Sequence, residues 1–167
     1  MMKSFLGLIQ EIYPVKKILL FVAILPGVMG LGAVLADHHT AGGDAALPAK
    51  ISKEDMAGKI FERPDVVTRS RGSNTIQDVT TLLSSDKKFA SGMYKSGKVR
   101  FEATEPYGVD EFMYFLEGGV KLTSADGSVQ VINAGEAVTI PKEWTGVWDT
   151  DGYTKIWVIY SDDGSGL

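Results

Sequence analysis

The chain contains no cysteine, so disulfides, catalytic thiolates and Cys-based metal sites play no part in its chemistry. Histidine is nearly as scarce: 167 residues hold two, His38 and His39, side by side in the N-terminal third. The rest of the chain therefore lacks the imidazole on which most transition-metal sites and every Ser-His-Asp set depend. No phosphate-cradling glycine loop and no zinc-binding helix motif is present. Basic charge is also short, with 17 Lys and Arg against 21 Asp and Glu. The local basic pairs, Arg69 with Arg71 and Lys87 with Lys88, read as solvated turn residues, so nucleic acid is excluded as a partner. Long amphipathic helices are missing too, which excludes βαβ architectures.

Among the features present, the N-terminus stands apart. Lys3, Lys16 and Lys17 precede residues 18–36, which carry no charge at all. Positive charge ahead of an uncharged apolar run is the pattern of a membrane-targeting element. Residues 1–36 are expected to be an apolar helix that serves as a signal peptide, cut between Ala36 and Asp37, or as a retained membrane anchor. Either fate exports the remainder, which is then periplasmic or membrane-anchored with its C-terminal domain outside the cytoplasm. The membrane is a partner only if the segment stays uncleaved. Residues 37–64 read as a flexible leader, with one short helical turn opened by Ser52 and ended by Pro64. A cut after Ala36 would put His39 third in the new chain, where an α-amine, two amides and an imidazole suit square-planar Cu(II) or Ni(II).

From residue 65 the pattern is that of strands. Short runs rich in Val, Ile, Thr, Tyr, Phe and Trp occupy 66–68, 75–83, 89–94, 99–104, 111–117, 120–123, 128–132, 137–140, 144–149 and 153–160. Gly97, Gly118-Gly119, Gly127, Gly135 and Gly152 stand between them as turn signals. Many short strands so punctuated predict a mainly β fold, an antiparallel sandwich or small barrel over residues 65–162, with a tail at 163–167.

Two segments narrow the fold. Asp110-Glu111-Phe112-Met113-Tyr114-Phe115-Leu116-Glu117-Gly118 resembles the first cupin motif, and Gly135-Glu136-Ala137-Val138-Thr139-Ile140-Pro141 resembles the second. The continuation Trp144-Thr145-Gly146-Val147-Trp148 is similar to the small single-cupin group related to the ureidoglycine aminohydrolase cupin domain. The resemblance spans residues 87–161 and implies a double-stranded β-helix, the cupin jelly roll, whose sheets curl around a pocket. It also implies a homodimer, since cupins commonly pair through sheet faces.

The resemblance further implies a divalent metal held by a His-x-His pair and a Glu of the first motif plus a His of the second. Glu111 stands at the Glu position, but the upstream segment Thr104-Glu105-Pro106-Tyr107 has no histidine and Gly146 stands where the last one would be. No cofactor is therefore expected, and a divalent ion could find only a weak oxygen-rich site at Glu105, Asp110 and Glu111. By strand alternation Glu111, Met113 and Phe115 share one face, as do Arg100, Glu102 and Thr104. Trp144 and Trp148, flanking Gly146, either wall a ligand pocket or simply fill the core. The candidate site is Glu111 as the catalytic group, with Trp144, Trp148, Tyr107, Met113, Arg100 and Tyr114 around a small-molecule ligand. Two functions are carried forward: a non-catalytic small-ligand-binding or structural module without the usual metal, and an aminohydrolase-like enzyme cleaving a C–N bond with Glu111 as general base.

Overall fold

The computed structural model describes residues 46–167, and among them Ala49–Leu167 belong to one compact unit. The expected apolar helix and the His38-His39 pair lie outside the described residues. Among the described residues no helix is long and apolar enough to cross a membrane.

The chain enters through a single helical turn, α1 (Lys53–Met56), followed by a 3-10 turn at Lys59–Glu62. Ser52 starts α1 because its hydroxyl accepts from the Asp55 amide while the Asp55 carboxylate accepts from the Ser52 amide, a reciprocal cap. Seven strands follow: β1 (Val67–Arg71), β2 (Asn74–Leu83), β3 (Phe89–Ala103), β4 (Asp110–Ser124), β5 (Val129–Asn133), β6 (Ala137–Ile140) and β7 (Gly146–Tyr160). They pair antiparallel in the order β1-β2-β3-β7-β4-β5, with β6 added to β4.

Three strands are each 15 residues long, where the sequence suggested pairs of short strands separated by turns. The glycines read as turns instead form a row across the sheet: Gly97 pairs with Gly152, and Gly152 with Gly119. At this row the inward face changes parity. In β3 the buried positions are Ala90, Tyr94 and Ser96 before Gly97, then Ala103 after it. In β4 they are Glu111, Met113 and Phe115, then Val120 and Leu122, with bulges between. In β7 they are Trp148 and Thr150, then Tyr153, Lys155, Trp157 and Ile159. Each long strand thus serves two sheet halves, one lengthened by β2 and β6, the other by β5. Side chains from both halves, such as Phe115 and Trp157 from one and Trp148 and Ile132 from the other, join a single core, so the sheet closes on itself as a jelly roll. Gly118 permits the fold-over: its backbone is left-handed (φ +65°), and a Cβ there would overlap the Gly152 carbonyl.

The outer face carries a second, smaller core. Ile60 and Phe61 of the 3-10 turn bury against Val79 of β2 and Met93 of β3, so this part of the expected leader packs on the barrel. Farther along the same face Phe112, Tyr114 and Tyr160 remain exposed.

The closest backbone approach in the core is at Gly92, where a Cβ would overlap the Val79 carbonyl and stand 2.6 Å from the Trp157 ring. Gly92→Ala should therefore destabilise the domain by ~3 kcal/mol, through displaced backbone and an off-rotamer indole. Gly127→Ala, where nothing lies within 4 Å, should lose only about 1 kcal/mol to backbone strain. Chemical denaturation of the two variants checks the contrast.

Candidate functional site

The barrel interior is built around a charge pair on two adjacent, antiparallel strands, β4 and β7. Glu111 on β4 is fully buried, and Lys155 on β7 is 3 % exposed. Lys155 Nζ lies 2.6 Å from Glu111 Oε1, and the Tyr107 hydroxyl donates to the other carboxylate oxygen, Oε2. A second ammonium proton faces Met113 Sδ at 3.0 Å. The remaining surroundings of the nitrogen are aromatic: the ring centroids of Tyr94, Trp148 and Tyr153 lie 5.4, 5.5 and 5.8 Å away. The ammonium is thus held by one carboxylate, one thioether and three π faces.

The pair is set by topology. Lys155 pairs with Phe115 on one side and Tyr94 on the other, so its stem is fixed in the centre of the sheet. Tyr107 reaches the site from the connection between β3 and β4, which is pinned by its own amide to the Trp144 carbonyl and by the Gly108 amide to Lys142. Around the pair the aromatic rings brace one another: Trp148 stacks on Phe101 at 5.9 Å, and Tyr153 meets Phe115 edge-on at 5.3 Å. Burial pushes the Tyr107 phenol well up, with the Glu111 charge adding to it; burial also raises Tyr153 and Tyr94. All three stay protonated donors.

A second buried carboxylate, Asp78 on β2, sits opposite Tyr94 and accepts from the Trp157 indole at 3.2 Å. Burial dominates its environment and lifts its pKa to about 6, against the opposing pull of Lys155, the indole hydrogen bond and Arg69. The Trp148 indole nitrogen is the one buried side-chain nitrogen or oxygen among the described residues without a hydrogen-bond partner. Among the described residues no group of three His, Asp or Glu side chains is placed to hold a metal ion.

The candidate residues from the sequence fall into two sets. Glu111, Met113, Tyr107 and Trp148 converge on the Lys155 nitrogen. Arg100 and Tyr114 do not: Arg100 is an exposed residue 3.7 Å from Asp149, and Tyr114 lies on the outer face. Arg100 faces outward because the parity switch at Gly97 turns the odd positions of β3 inward. Trp144 packs edge-on against Tyr107 and donates to Ser124. Its ring stands 2.9 Å from where a Cβ of Gly146 would be, so the gap expected beside that glycine is filled by Trp144 itself. Lys155 was missed. Its signal was legible in Tyr153-Thr154-Lys155-Ile156-Trp157-Val158-Ile159, where a lone charge occupies the alternate positions otherwise held by Tyr, Trp and Ile.

The closed, parity-switching antiparallel barrel has the jelly-roll fold that cupins share. Residues 83–155 match the family model of the EutQ-like cupin domain. Among solved structures the chain is similar to the EutQ protein of Clostridium difficile, at 21 % identity over 59 % of this chain and 78 % of that one, with a TM-score of 0.48. It is also similar to a Pseudomonas syringae protein of unknown function from the DUF861 family, at 16 % identity over 56 % of this chain and 43 % of that one, with a TM-score of 0.51. A DUF861 family protein from Thermotoga maritima shares 30 % identity over 39 % of this chain and 73 % of its own, with a TM-score of 0.36. No curated protein matches the chain.

Removing either member of the buried pair strands the other. Glu111→Gln and Lys155→Met should each destabilise the domain by about 3–5 kcal/mol. The double variant should lose less than the sum, with a coupling of ~2 kcal/mol in a denaturation cycle. Asp78 gives a pH dependence of opposite sign to that of an ordinary paired carboxylate. Its folded pKa of about 6 exceeds the ordinary aspartate value of 3.8, so its contribution is fully present below pH 3.8 and is lost as pH rises to about 6. The loss amounts to ~3 kcal/mol. Asp78→Asn should therefore match the wild type near the acid end and exceed it in stability at pH 7.5; an equal difference at both pH values in urea titrations would contradict the assignment.

Proposed function

We propose that the chain is an exported cupin that works without a transition metal, as a module that binds a small molecule in its barrel. The observation that carries this reading is the occupancy of Glu111. In the resemblance to metal-binding cupins this carboxylate would ligate the ion, yet here one oxygen takes the Lys155 ammonium and the other the Tyr107 hydroxyl. A positive charge already balances it, and the described residues contain no imidazole to complete a coordination sphere. Export rests on the three lysines ahead of the uncharged run at residues 18–36.

The aminohydrolase-like alternative asks Glu111 to act as general base. It would have to activate a water, yet both carboxylate oxygens are already taken, one by Lys155 and the other by Tyr107. The binding reading needs no water at the carboxylate, and it uses the mixed aromatic and polar walls that small-molecule sites commonly have.

Elemental analysis of the full chain carrying His38→Ala and His39→Ala tests the proposal without interference from the N-terminal histidines. Manganese, iron, nickel, copper and zinc should all be substoichiometric. Stoichiometric metal in that protein, lost again on Glu111→Gln, would overturn the reading.

A further inference from the structure

The interior cluster holds more than a static ion pair. Lys155 is a primary amine that touches a carboxylate at 2.6 Å, and that carboxylate in turn accepts from a phenol, Tyr107. This is the arrangement of a nucleophile, a proton acceptor beside it and a group that orients the acceptor. Over the same nitrogen lies the face of the Trp148 ring, whose indole N–H, in the plane of that ring, is buried and has no acceptor. An unpartnered buried donor on the ring next to the amine is available to a ligand oxygen that enters beside it.

We propose that Lys155 condenses reversibly with a small aldehyde or ketone inside the barrel, so that the ligand of this site is a carbonyl compound held as an imine. The inference rests on the metal-independent binding reading and names the ligand class of that same site. In the first step Glu111 takes a proton from the Lys155 ammonium. The freed lone pair forms the N–C bond as the C=O π pair moves to oxygen, where the Trp148 indole donates to it. Glu111 returns its proton to that oxygen, giving a carbinolamine still protonated on nitrogen. Glu111, held in place by Tyr107, then takes one proton from that nitrogen and passes it to the hydroxyl, and water leaves. One ammonium and one carbonyl become one protonated imine and one water, with no change in charge.

The chemistry of the walls limits the ligand. The buried Lys155–Glu111 pair leaves no unmatched cation, so an anionic ligand would lose its hydration with no partner to receive it. A neutral carbonyl compound of a few carbons avoids that penalty. Lys155 and its neighbours Tyr94 and Tyr153 keep slight exposure while Glu111 has none, so an entering ligand meets the amine before the carboxylate.

The test is reductive trapping of the full chain in the presence of a chelator, with acetaldehyde or acetone as probe and cyanoborohydride as reductant, read by peptide mapping. Lys98, an exposed lysine, serves as the internal reference. In the native protein Lys155 should be alkylated about tenfold faster than Lys98. In urea the two rates should become equal. Burial alone predicts the reverse, a protected Lys155, and native labelling at Lys155 no faster than at Lys98 would overturn the inference. Because the chelator removes metal from this experiment, its failure leaves the metal analysis unaffected, and stoichiometric barrel metal would bring down the underlying reading without bearing on the trapping result.

Discussion

The structure turns on one ion pair placed where water cannot reach it. Moving an ammonium and a carboxylate out of water is unfavourable by several kcal/mol for each ion, and their attraction offsets this only when the remaining protons and lone pairs are also satisfied. The barrel meets that condition with its own parts. Tyr107 occupies the second carboxylate oxygen, Met113 takes another ammonium proton, and three aromatic rings present their faces to the charge. Each is placed by a different segment, so the pair ties β3, β4, β7 and the β3–β4 connection to one point. A divalent ion could tie the same segments together, and in this chain a lysine side chain from the central strand does so.

That lysine can be central because the three longest strands pass through both halves of the sheet. The row formed by Gly97, Gly152 and Gly119 lets β3, β7 and β4 fold over while keeping their hydrogen-bonded pairing. The parity change at the row keeps inward residues inward on both sides of it. Trp148, before the row on β7, and Lys155, after it, therefore meet within one core although seven positions separate them. With side chains beyond hydrogen at this row, the two halves would be held apart by backbone contacts such as that of Gly118 on the Gly152 carbonyl.

The same row explains what the sequence revealed and what it concealed. Alternation within a strand half is a local property, so the shared face of Glu111, Met113 and Phe115 was legible from spacing alone. The cupin motifs around 110–118 and 135–141 were legible for the same reason, as short patterns of one strand and one turn. Continuity across glycine was not legible: a glycine between two β-rich runs has the same letters whether the chain reverses or bends onward. From that ambiguity followed ten short strands in place of seven, and an inward assignment for Arg100 that the parity switch reverses. Lys155 was hidden differently. Its pattern was present, but a charge amid apolar positions reads as a strand edge until its partner is known, and Glu111 lies 44 residues away.

Two carboxylates share this interior with one lysine, and their surroundings give them different work. Glu111 meets two strong donors, one of them charged, and has no contact with solvent. Asp78 meets a single indole N–H directly and feels Lys155 and Arg69 only through space, so desolvation prevails and its affinity for a proton rises. Above about pH 6 Asp78 therefore carries its charge in a poorly solvated place, with Arg69 near enough to temper the cost. Below that value Asp78 takes up a proton and the cost is relieved. The barrel thus gains coherence as its surroundings become acidic, because the carboxylate least well provided with donors is the one that can be neutralised without disturbing the pair at the centre.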